Sequence, residues 1–130
     1  MDDSTHTAAE AASAIGCELG QIVKSLLFVA DGEPLLALVA GINRVDEQLL
    51  GDRLGVELGK ANAKLVKEAT GYSIGGVPPF GHATRLRTII DPQLLSYETI
   101  WAAAGTALSV FELTPKQLID VTEGEVVGVS

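Results

Sequence analysis

The sequence predicts a single α+β domain on a mixed β-sheet. Its 130 residues are 47% hydrophobic and 20% charged, which suffices to bury the core of one domain. Apolar segments of strand length alternate irregularly with segments of helical pattern, unlike a regular βαβ winding. Fourteen glycines are spread along the chain. They separate the segments, as tight turns between many short elements require.

The first half of the chain is predicted to contain a helix, a β-hairpin and two further helices. Thr5 or Thr7 can serve as the N-cap of the first helix, and Gly16 is placed to end it. The two strands are rich in Leu and Val, and Gly71 follows the last helix. The predicted elements are a helix over Ser4 to Gly16, strands over Gln21 to Ala30 and Leu35 to Ala40 with a turn at residues 31–34, and helices over Asp46 to Leu54 and Ala61 to Thr70.

The second half begins with an irregular loop. Residues 71–81, GYSIGGVPPFG, hold too much Gly and Pro for a helix or a central strand. Pro115 has the position that favours the start of a helix. The predicted elements that follow are strands over Arg85 to Ile90, Thr99 to Ala104 and Ala107 to Leu113, a helix from Thr114 through Val121, and a last strand over Glu125 to Val129.

Composition and charge exclude several classes of protein. The formal net charge is −8, with nine Lys plus Arg against 17 Asp plus Glu, so DNA is repelled on average. No apolar run approaches the roughly 18 residues of a membrane span, and the acidic start MDDSTHTAAE differs from a signal peptide. The one cysteine, Cys17, indicates a reducing compartment. We therefore expect a soluble cytoplasmic protein that binds neither DNA nor membranes; its oligomeric state is left open.

Two motifs imitate known catalytic loops without the context that these loops need. Residues 71–75 match G-x-S-x-G, but a nucleophile elbow follows a strand, and here a predicted helix precedes it. No acid lies between Ser73 and His82 to complete a triad. Residues 55–61 resemble a phosphate-binding loop, but the glycine spacing is one residue short and Ala61 replaces the required Ser or Thr. We reject both motifs.

Metal and thiol chemistry are also not expected. His6 and His82 are the two histidines and Cys17 is alone, so no cluster of soft ligands can form, and we expect neither a metal nor a cofactor. Cys17 is predicted to be a small core residue, because no basic neighbour in the sequence would stabilise its thiolate. His82 is a candidate ligand contact, and a structural role is equally compatible with its position.

Lys24 is unusual because it lies within an apolar strand. Strand alternation places Ile22, Lys24 and Leu26 on one face and the intervening residues on the other. An ammonium group in such surroundings is costly unless it reaches water or an anion. Lys24 is therefore a functional residue, an edge-strand lysine that deters pairing, or a side chain that extends to solvent.

The loop at residues 75–81, GGVPPFG, is the second candidate. Consecutive glycines allow main-chain N–H groups to point at one oxygen or anion without obstruction by side chains. The prolines stiffen the loop and lower the entropic cost of holding that shape. The alternative is a structural crossover with no ligand.

Three segments in this order carry a resemblance to a known family. They are residues 21–28, QIVKSLLF; residues 71–81, GYSIGGVPPFG; and residues 99–106, TIWAAAGT. Together they resemble the YbaK/prolyl-tRNA synthetase-associated editing domains, over nearly the whole chain from about Thr7. Members hydrolyse amino acids wrongly attached to tRNA, as stand-alone proteins or as domains of synthetases. Most members carry an additional strand and helix before the first helix, so we expect residues 1–130 to form one such domain, with a curved and partly barrel-like sheet, that starts late.

The resemblance implies roles for particular residues. Lys24 matches the lysine that holds the phosphate of the terminal nucleotide, and the loop from Gly75 to Pro79 matches the Gly-x-x-x-Pro loop of the family. The resemblance further implies that water is activated by the ribose hydroxyl of the substrate, without a general base from the protein. The implied catalytic residues are Lys24, Gly75 and Gly76, and the implied substrate-binding residues are Ser25, Val77, Pro78, Pro79, Gly105 and Thr106.

Basic residues are concentrated in one segment of this acidic chain. Between positions 60 and 87 there are five basic residues and one acid, a net charge of +4, which leaves −12 on the rest. Lys60, Lys64 and Lys67 have the i, i+4 and i+7 spacing of one helix face. This face is either an ordinary solvated surface or a patch that follows tRNA phosphates. The expected weak tRNA contacts are Lys60, Lys64, Lys67, His82 and Arg85.

These observations favour a stand-alone hydrolase that removes a small amino acid from mischarged tRNA-Pro or a similar tRNA. Its partners are aminoacyl-tRNA and, as a second candidate, an aminoacyl-tRNA synthetase. The alternatives are a non-catalytic module of the same fold that captures an aminoacyl or nucleotide ligand, and a purely structural domain. Turnover of mischarged tRNA distinguishes the enzyme from both.

Overall fold

The computed structural model describes residues 8–72, 77–82, 86–104 and 110–130. This part of the chain forms one α+β fold with a mixed sheet, as the sequence predicts. The helices are α1 (Ala8–Ile15), α2 (Glu47–Leu54), α3 (Ala63–Thr70) and α4 (Pro115–Thr122), with short 3-10 helices at Leu19–Gln21 and Pro92–Ser96. The strands are β1 (Val23–Ala30), β2 (Glu33–Ala40), β3 (Leu58–Lys60), β4 (Arg87–Ile90), β5 (Ile100–Ala103), β6 (Val110–Leu113) and β7 (Glu125–Val126).

Five strands form the main sheet in the order β3-β1-β2-β4-β7. The pairs β1–β2 and β1–β3 are antiparallel, while β2–β4 and β4–β7 are parallel. The strands β5 and β6 form a separate antiparallel pair. A single parallel bridge between Ile22 and Trp101 links this pair to the start of β1.

The predicted hairpin is confirmed, with a tighter turn than expected. Ala30 pairs with Glu33, so the turn consists of Asp31 and Gly32 alone. Their φ angles are +48° and +86°, and a two-residue hairpin turn of type I′ requires positive values at both positions. Glu33 and Pro34 therefore belong to β2, and the four-residue turn predicted at 31–34 is wrong.

The central strand β2 is buried on both faces of the sheet. Residues 35–40 are at most 1% exposed, which explains their continuous apolar sequence. One face packs on α3, α4 and β5, through residues such as Leu36, Leu38, Val66, Ile100 and Leu118. The opposite face packs on α2 and the C-terminal segment, through residues such as Leu35, Val39, Ile89, Leu50 and Val129.

Helix caps fix where the helices begin. Asp46, Asn62 and Thr114 each accept a hydrogen bond from a main-chain N–H in the first turn of α2, α3 and α4. Thr114 and Gln117 form a complete capping box. Because Asn62 caps α3, the helix begins at Ala63, two residues later than predicted.

Candidate functional site

A cavity of about 350 Å³ opens along one edge of β1. The strand β3 pairs with β1 at residues 28–30, and the bridge from Trp101 reaches Ile22. Between these points, β1 has no partner on this side among the described residues. Residues from both faces of β1 line the cavity, because the cavity runs across the open edge. Its polar lining residues are Lys24, Ser25, Arg44, Glu47 and Lys60.

Lys24 lies at this cavity and is held by the loop that follows β2. The predicted alternation is confirmed: Val23 and Leu27 pack on one side of the sheet, and Leu26 and Phe28 pack on the other. The Lys24 side chain is half-buried, and its ammonium group donates to the main-chain carbonyl oxygen of Asn43 at 2.5 Å. A charged donor is thus fixed at an opening in an apolar wall.

Burial lowers the pKa of Lys24 from its ordinary value, and the positive charge of Arg44 lowers that pKa further. The carboxylate of Asp91 acts in the opposite direction and favours the protonated form. The positive charges of Lys24, Arg44 and Lys60 outweigh Glu47, the one carboxylate among the described lining residues. The cavity therefore has an excess of positive charge and suits an anionic ligand.

Ser25 places a second polar group at the same edge of β1. Its hydroxyl oxygen is buried and has no hydrogen-bond partner within the described ranges of the chain. A buried hydroxyl without a partner carries an energetic cost, which a ligand atom at hydrogen-bond distance would remove.

Asn43 and Asp91 were not predicted as site residues, yet they adjoin Lys24. Asp91 follows β4 and is 3% exposed. One of its carboxylate oxygens accepts from the main-chain N–H of Ala40 at 3.1 Å and from the side-chain amide of Asn43 at 2.8 Å. In the sequence, Asp91 is marked only by its position as the polar residue directly after an apolar strand. Its partners Ala40 and Asn43 lie about 50 positions earlier.

The glycine-rich loop is described in part. Val77, Pro78 and Pro79 are buried, and Val77 lines the cavity. The His82 ring nitrogen Nε2 lies 2.6 Å from the carbonyl oxygen of Pro78. This contact closes the loop on itself, and the described residues of the loop contain neither helix nor strand, as predicted. The structure places Pro78 and Pro79 beside Val77 but not in the cavity lining.

Several predicted site residues lie outside the described residues. They are Gly75, Gly76, Arg85, Gly105 and Thr106. Ser73 and His6 also lie outside. Gly75 and Gly76 directly precede Val77 in sequence, and Val77 does line the cavity. Their roles stay predictions.

The three lysines predicted on one helix face do not share that face. Lys60 ends β3, where it pairs with Phe28, because the helix begins after its cap at Asn62. Lys64 and Lys67 are exposed on α3, and Lys67 donates to the carbonyl of Gly71, which ends the helix. Lys60 instead lines the cavity with Lys24.

Arg87, counted in the basic segment, is paired. Its guanidinium group binds the carboxylate of Glu125 with distances of 2.8 and 3.3 Å, on adjacent parallel strands. This contact raises the pKa of Arg87 and lowers the pKa of Glu125. The charge of Arg87 is therefore largely balanced at the surface.

The two rejected motifs have the local structure that argues against them. The helix α3 ends at Thr70 and Gly71 is its left-handed cap, so a helix precedes the G-x-S-x-G segment. Gly55 caps the end of α2, and β3 follows at Leu58. A phosphate-binding loop needs the reverse order, a strand before the loop and a helix after it.

A larger cavity of about 650 Å³ lies beside α2. Four carboxylates line it, from Asp31, Glu47, Asp52 and Glu57. This charge repels phosphate, so size alone does not identify the site for an anion. Among the described residues, no group of three His, Cys, Asp or Glu side chains is arranged to hold a metal ion, and no helix is long and apolar enough to cross a membrane.

Comparison with known proteins identifies a family. The family model described as "Aminoacyl-tRNA editing domain" matches residues 2–121. "Uncharacterized protein YwhH" of Bacillus subtilis is 34% identical over 127 residues, which cover 97% of this chain and 81% of that protein. "Putative Cys-tRNA(Pro)/Cys-tRNA(Cys) deacylase EbsC" of Enterococcus faecalis is 30% identical, over 92% of this chain and 75% of that protein.

A solved structure has the same fold. It is described as "Crystal structure of a putative trans-editing enzyme for prolyl tRNA synthetase" and superposes with a TM-score of 0.93. The two sequences are 45% identical, and the match covers all of this chain and 83% of that one.

Proposed function

The chain belongs to the aminoacyl-tRNA editing domain family, and from this premise we propose that it hydrolyses mischarged aminoacyl-tRNA in trans, with a small amino acid on tRNA-Pro as substrate. The observation that carries the proposal is the Lys24 ammonium at a cavity with an excess of positive charge. The names of the relatives, which mention prolyl-tRNA synthetase and Cys-tRNA, support the choice of tRNA and of a small amino acid.

Lys24 binds the phosphate of the terminal nucleotide in this proposal. Within the described ranges, its ammonium group donates to one acceptor, the main-chain carbonyl oxygen of Asn43, and it can donate to two further oxygens. Arg44 and Lys60 line the same cavity and add positive charge beside the phosphate. The buried hydroxyl of Ser25 is the next polar group along β1 and offers a hydrogen bond to the bound 3′ end.

Hydrolysis then depends on position and main-chain donors. The ribose hydroxyl of the substrate positions a water molecule, whose oxygen attacks the ester carbon while its proton passes to the leaving ribose oxygen. The N–H groups of Gly75 and Gly76 stabilise the oxyanion that forms on the carbonyl oxygen of the ester. One such donor contributes about 10² to 10³ in rate, and the fixed water contributes through proximity. The products are the free amino acid and intact tRNA.

The partners follow from this reaction. Aminoacyl-tRNA is the substrate, and a synthetase that delivers mischarged tRNA is the second proposed partner. Both are found in the cytoplasm, where we place the protein. The exposed Lys64 and Lys67 on α3 provide weak contacts to the tRNA backbone.

A deacylation screen tests the proposal. Purified protein is incubated with tRNA-Pro charged with alanine, cysteine or serine, and correctly charged Pro-tRNA serves as the matched control. We expect at least one mischarged species to lose its amino acid many times faster than the control. Tight binding of all four species with no hydrolysis above the spontaneous rate would instead identify a non-catalytic binding module.

A further inference from the structure

We propose that Asp91 and Asn43 form a positioning pair for Lys24. In this pair, the buried carboxylate of Asp91 orients the Asn43 loop, and the carbonyl oxygen of Asn43 holds the Lys24 ammonium at the cavity. The proposal rests on the proposed function for the identity of the anion that Lys24 binds. The contact between the three residues does not depend on that identity.

The geometry forms a continuous path. The Asp91 carboxylate accepts from the Asn43 amide at 2.8 Å, and the Asn43 carbonyl accepts from the Lys24 ammonium. Asn43 lies in the loop after β2. Asp91 also accepts from the main-chain N–H of Ala40, the last residue of β2, at 3.1 Å. Three separate elements, β1, the loop after β2 and the end of β4, are therefore joined at Asn43, and Lys24 extends this junction to the cavity.

The structural work of Asp91 does not require Asn43. Its second carboxylate oxygen accepts from the N–H of Gln93 at 3.0 Å and so caps the 3-10 helix Pro92–Ser96. The bond to Ala40 ties the end of β2 to the same side chain. The bond to the Asn43 side chain is additional to both, which allows the two roles to be separated by substitution.

Electrostatics gives the pair a second effect. Among the described residues, four charged groups act on Lys24 or line the same cavity: Arg44 on the loop, Glu47 at the start of α2, Lys60 at the end of β3, and Asp91 after β4. Burial and Arg44 both disfavour the ammonium form, and Asp91 favours it. An Asp91 carboxylate that is 3% exposed is weakly screened by solvent. It therefore favours the protonated form of Lys24, against the effects of burial and Arg44.

The test uses two variants and one control. Asp91→Asn removes the charge, and Asn43→Ala removes the side-chain bond while leaving the carbonyl and the cap at Gln93 in place. Thr114→Ala is the matched control, because it removes a cap from α4, away from the Lys24 cavity. The NMR chemical shift of Lys24 Cε, the carbon next to the ammonium, is followed as pH rises. Its signal is assigned by its disappearance in Lys24→Met.

We expect the titration midpoint of Lys24 to move to lower pH in both variants and to stay unchanged in Thr114→Ala. In single-turnover deacylation, the enzyme concentration that gives half the maximal rate should rise about threefold to tenfold, the worth of one hydrogen bond. The maximal rate should change less.

Folded variants with wild-type midpoints would overturn the pair; if Asp91→Asn does not fold, Asn43→Ala alone decides. Shifted midpoints in a protein that hydrolyses no aminoacyl-tRNA would refute the proposed function and leave the pair standing.

Discussion

Lys24 combines a cost for folding with the binding role that we propose for it. Its ammonium group is half-buried at the open edge of β1, with the Asn43 carbonyl as a partner. An apolar side chain of similar length would fill the same space without desolvating a charge. The lysine therefore contributes a positive charge at a defined point rather than stability.

The variant Lys24→Met tests whether Lys24 lowers stability and supports binding. We expect deacylation to fall by at least about tenfold, because a charge-assisted bond to phosphate is lost, while the melting temperature stays equal or rises. The measurements are single-turnover hydrolysis and thermal unfolding on the same preparation. Unchanged hydrolysis by the folded variant would show that Lys24 does not hold the phosphate.

The pH dependence of stability has a definite sign. Since the pKa of Lys24 is lower in the folded protein than in the unfolded chain, the folded state binds fewer protons between these two values. Its stability then increases with pH in that window. The destabilisation caused by the half-buried Lys24 charge is complete below the pKa of Lys24 in the folded state and declines above it. The stability advantage of Lys24→Met should therefore shrink as pH rises. Urea unfolding at a series of pH values checks the trend.

Cys17 is expected to be dispensable. Burial is the main cause that raises the pKa of its thiol, and the nearby Glu18 raises it further. A thiol with a raised pKa has little thiolate at neutral pH and is a poor nucleophile. Cys17→Ala should keep deacylation within about twofold of wild type, a free-energy change of roughly 0.4 kcal/mol. A loss of a hundredfold with folding preserved would require a catalytic thiol.

At the scale of elements, the segments with strong local signals were predictable. Asp31 and Gly32 specify the hairpin turn, and Thr114, Pro115 and Gln117 specify the start of α4, because these signals act within four residues. The strand β3 was missed. Its three residues, Leu58 to Lys60, include a glycine and show no alternation, and they form a strand because β1 offers pairing partners.

The candidate site was predictable to the same extent. Lys24 stood out because a charge in an apolar strand is a local anomaly. Asn43 and Asp91 did not, because their significance arises from contacts between residues 19 to 51 positions apart. Long-range pairing of this kind leaves no periodic trace in a single sequence.

The hairpin turn gives a prediction at this scale. Gly32 has φ of +86° and open space where a Cβ would stand, so Gly32→Ala costs conformational energy without a steric clash. We expect a loss of about 1 to 2 kcal/mol in the free energy of unfolding. Gly59→Ala is the matched control, since its Cβ also meets open space and its φ lies outside the left-handed region. It should be neutral or slightly stabilising. Equal losses in both variants would contradict the turn assignment.

For the whole molecule, charge separation is the main electrostatic feature. The chain carries −8 overall, yet Lys24, Arg44 and Lys60 meet at one cavity, and four carboxylates line the larger cavity beside α2. A tRNA that approaches such a surface is repelled in general and attracted locally. Binding should therefore be weak, orientation-dependent and sensitive to salt.

Two charge reversals separate the local effect from the global one. Lys64→Glu and Lys116→Glu each change the net charge from −8 to about −10, so the general repulsion of tRNA is the same in both. Both lysines are exposed on helices, Lys64 on α3 near the cavity and Lys116 at the start of α4.

If the α3 surface contacts the tRNA backbone, Lys64→Glu should weaken binding severalfold more than Lys116→Glu. It should also reduce the slope of log affinity against log salt by roughly one unit. The rate of hydrolysis at saturating enzyme should be nearly unchanged in both variants, because neither lysine lines the Lys24 cavity. Filter binding at several salt concentrations, together with single-turnover rates, measures both quantities. Equal weakening in the two variants would show that tRNA responds to net charge alone and that α3 is an ordinary solvated surface.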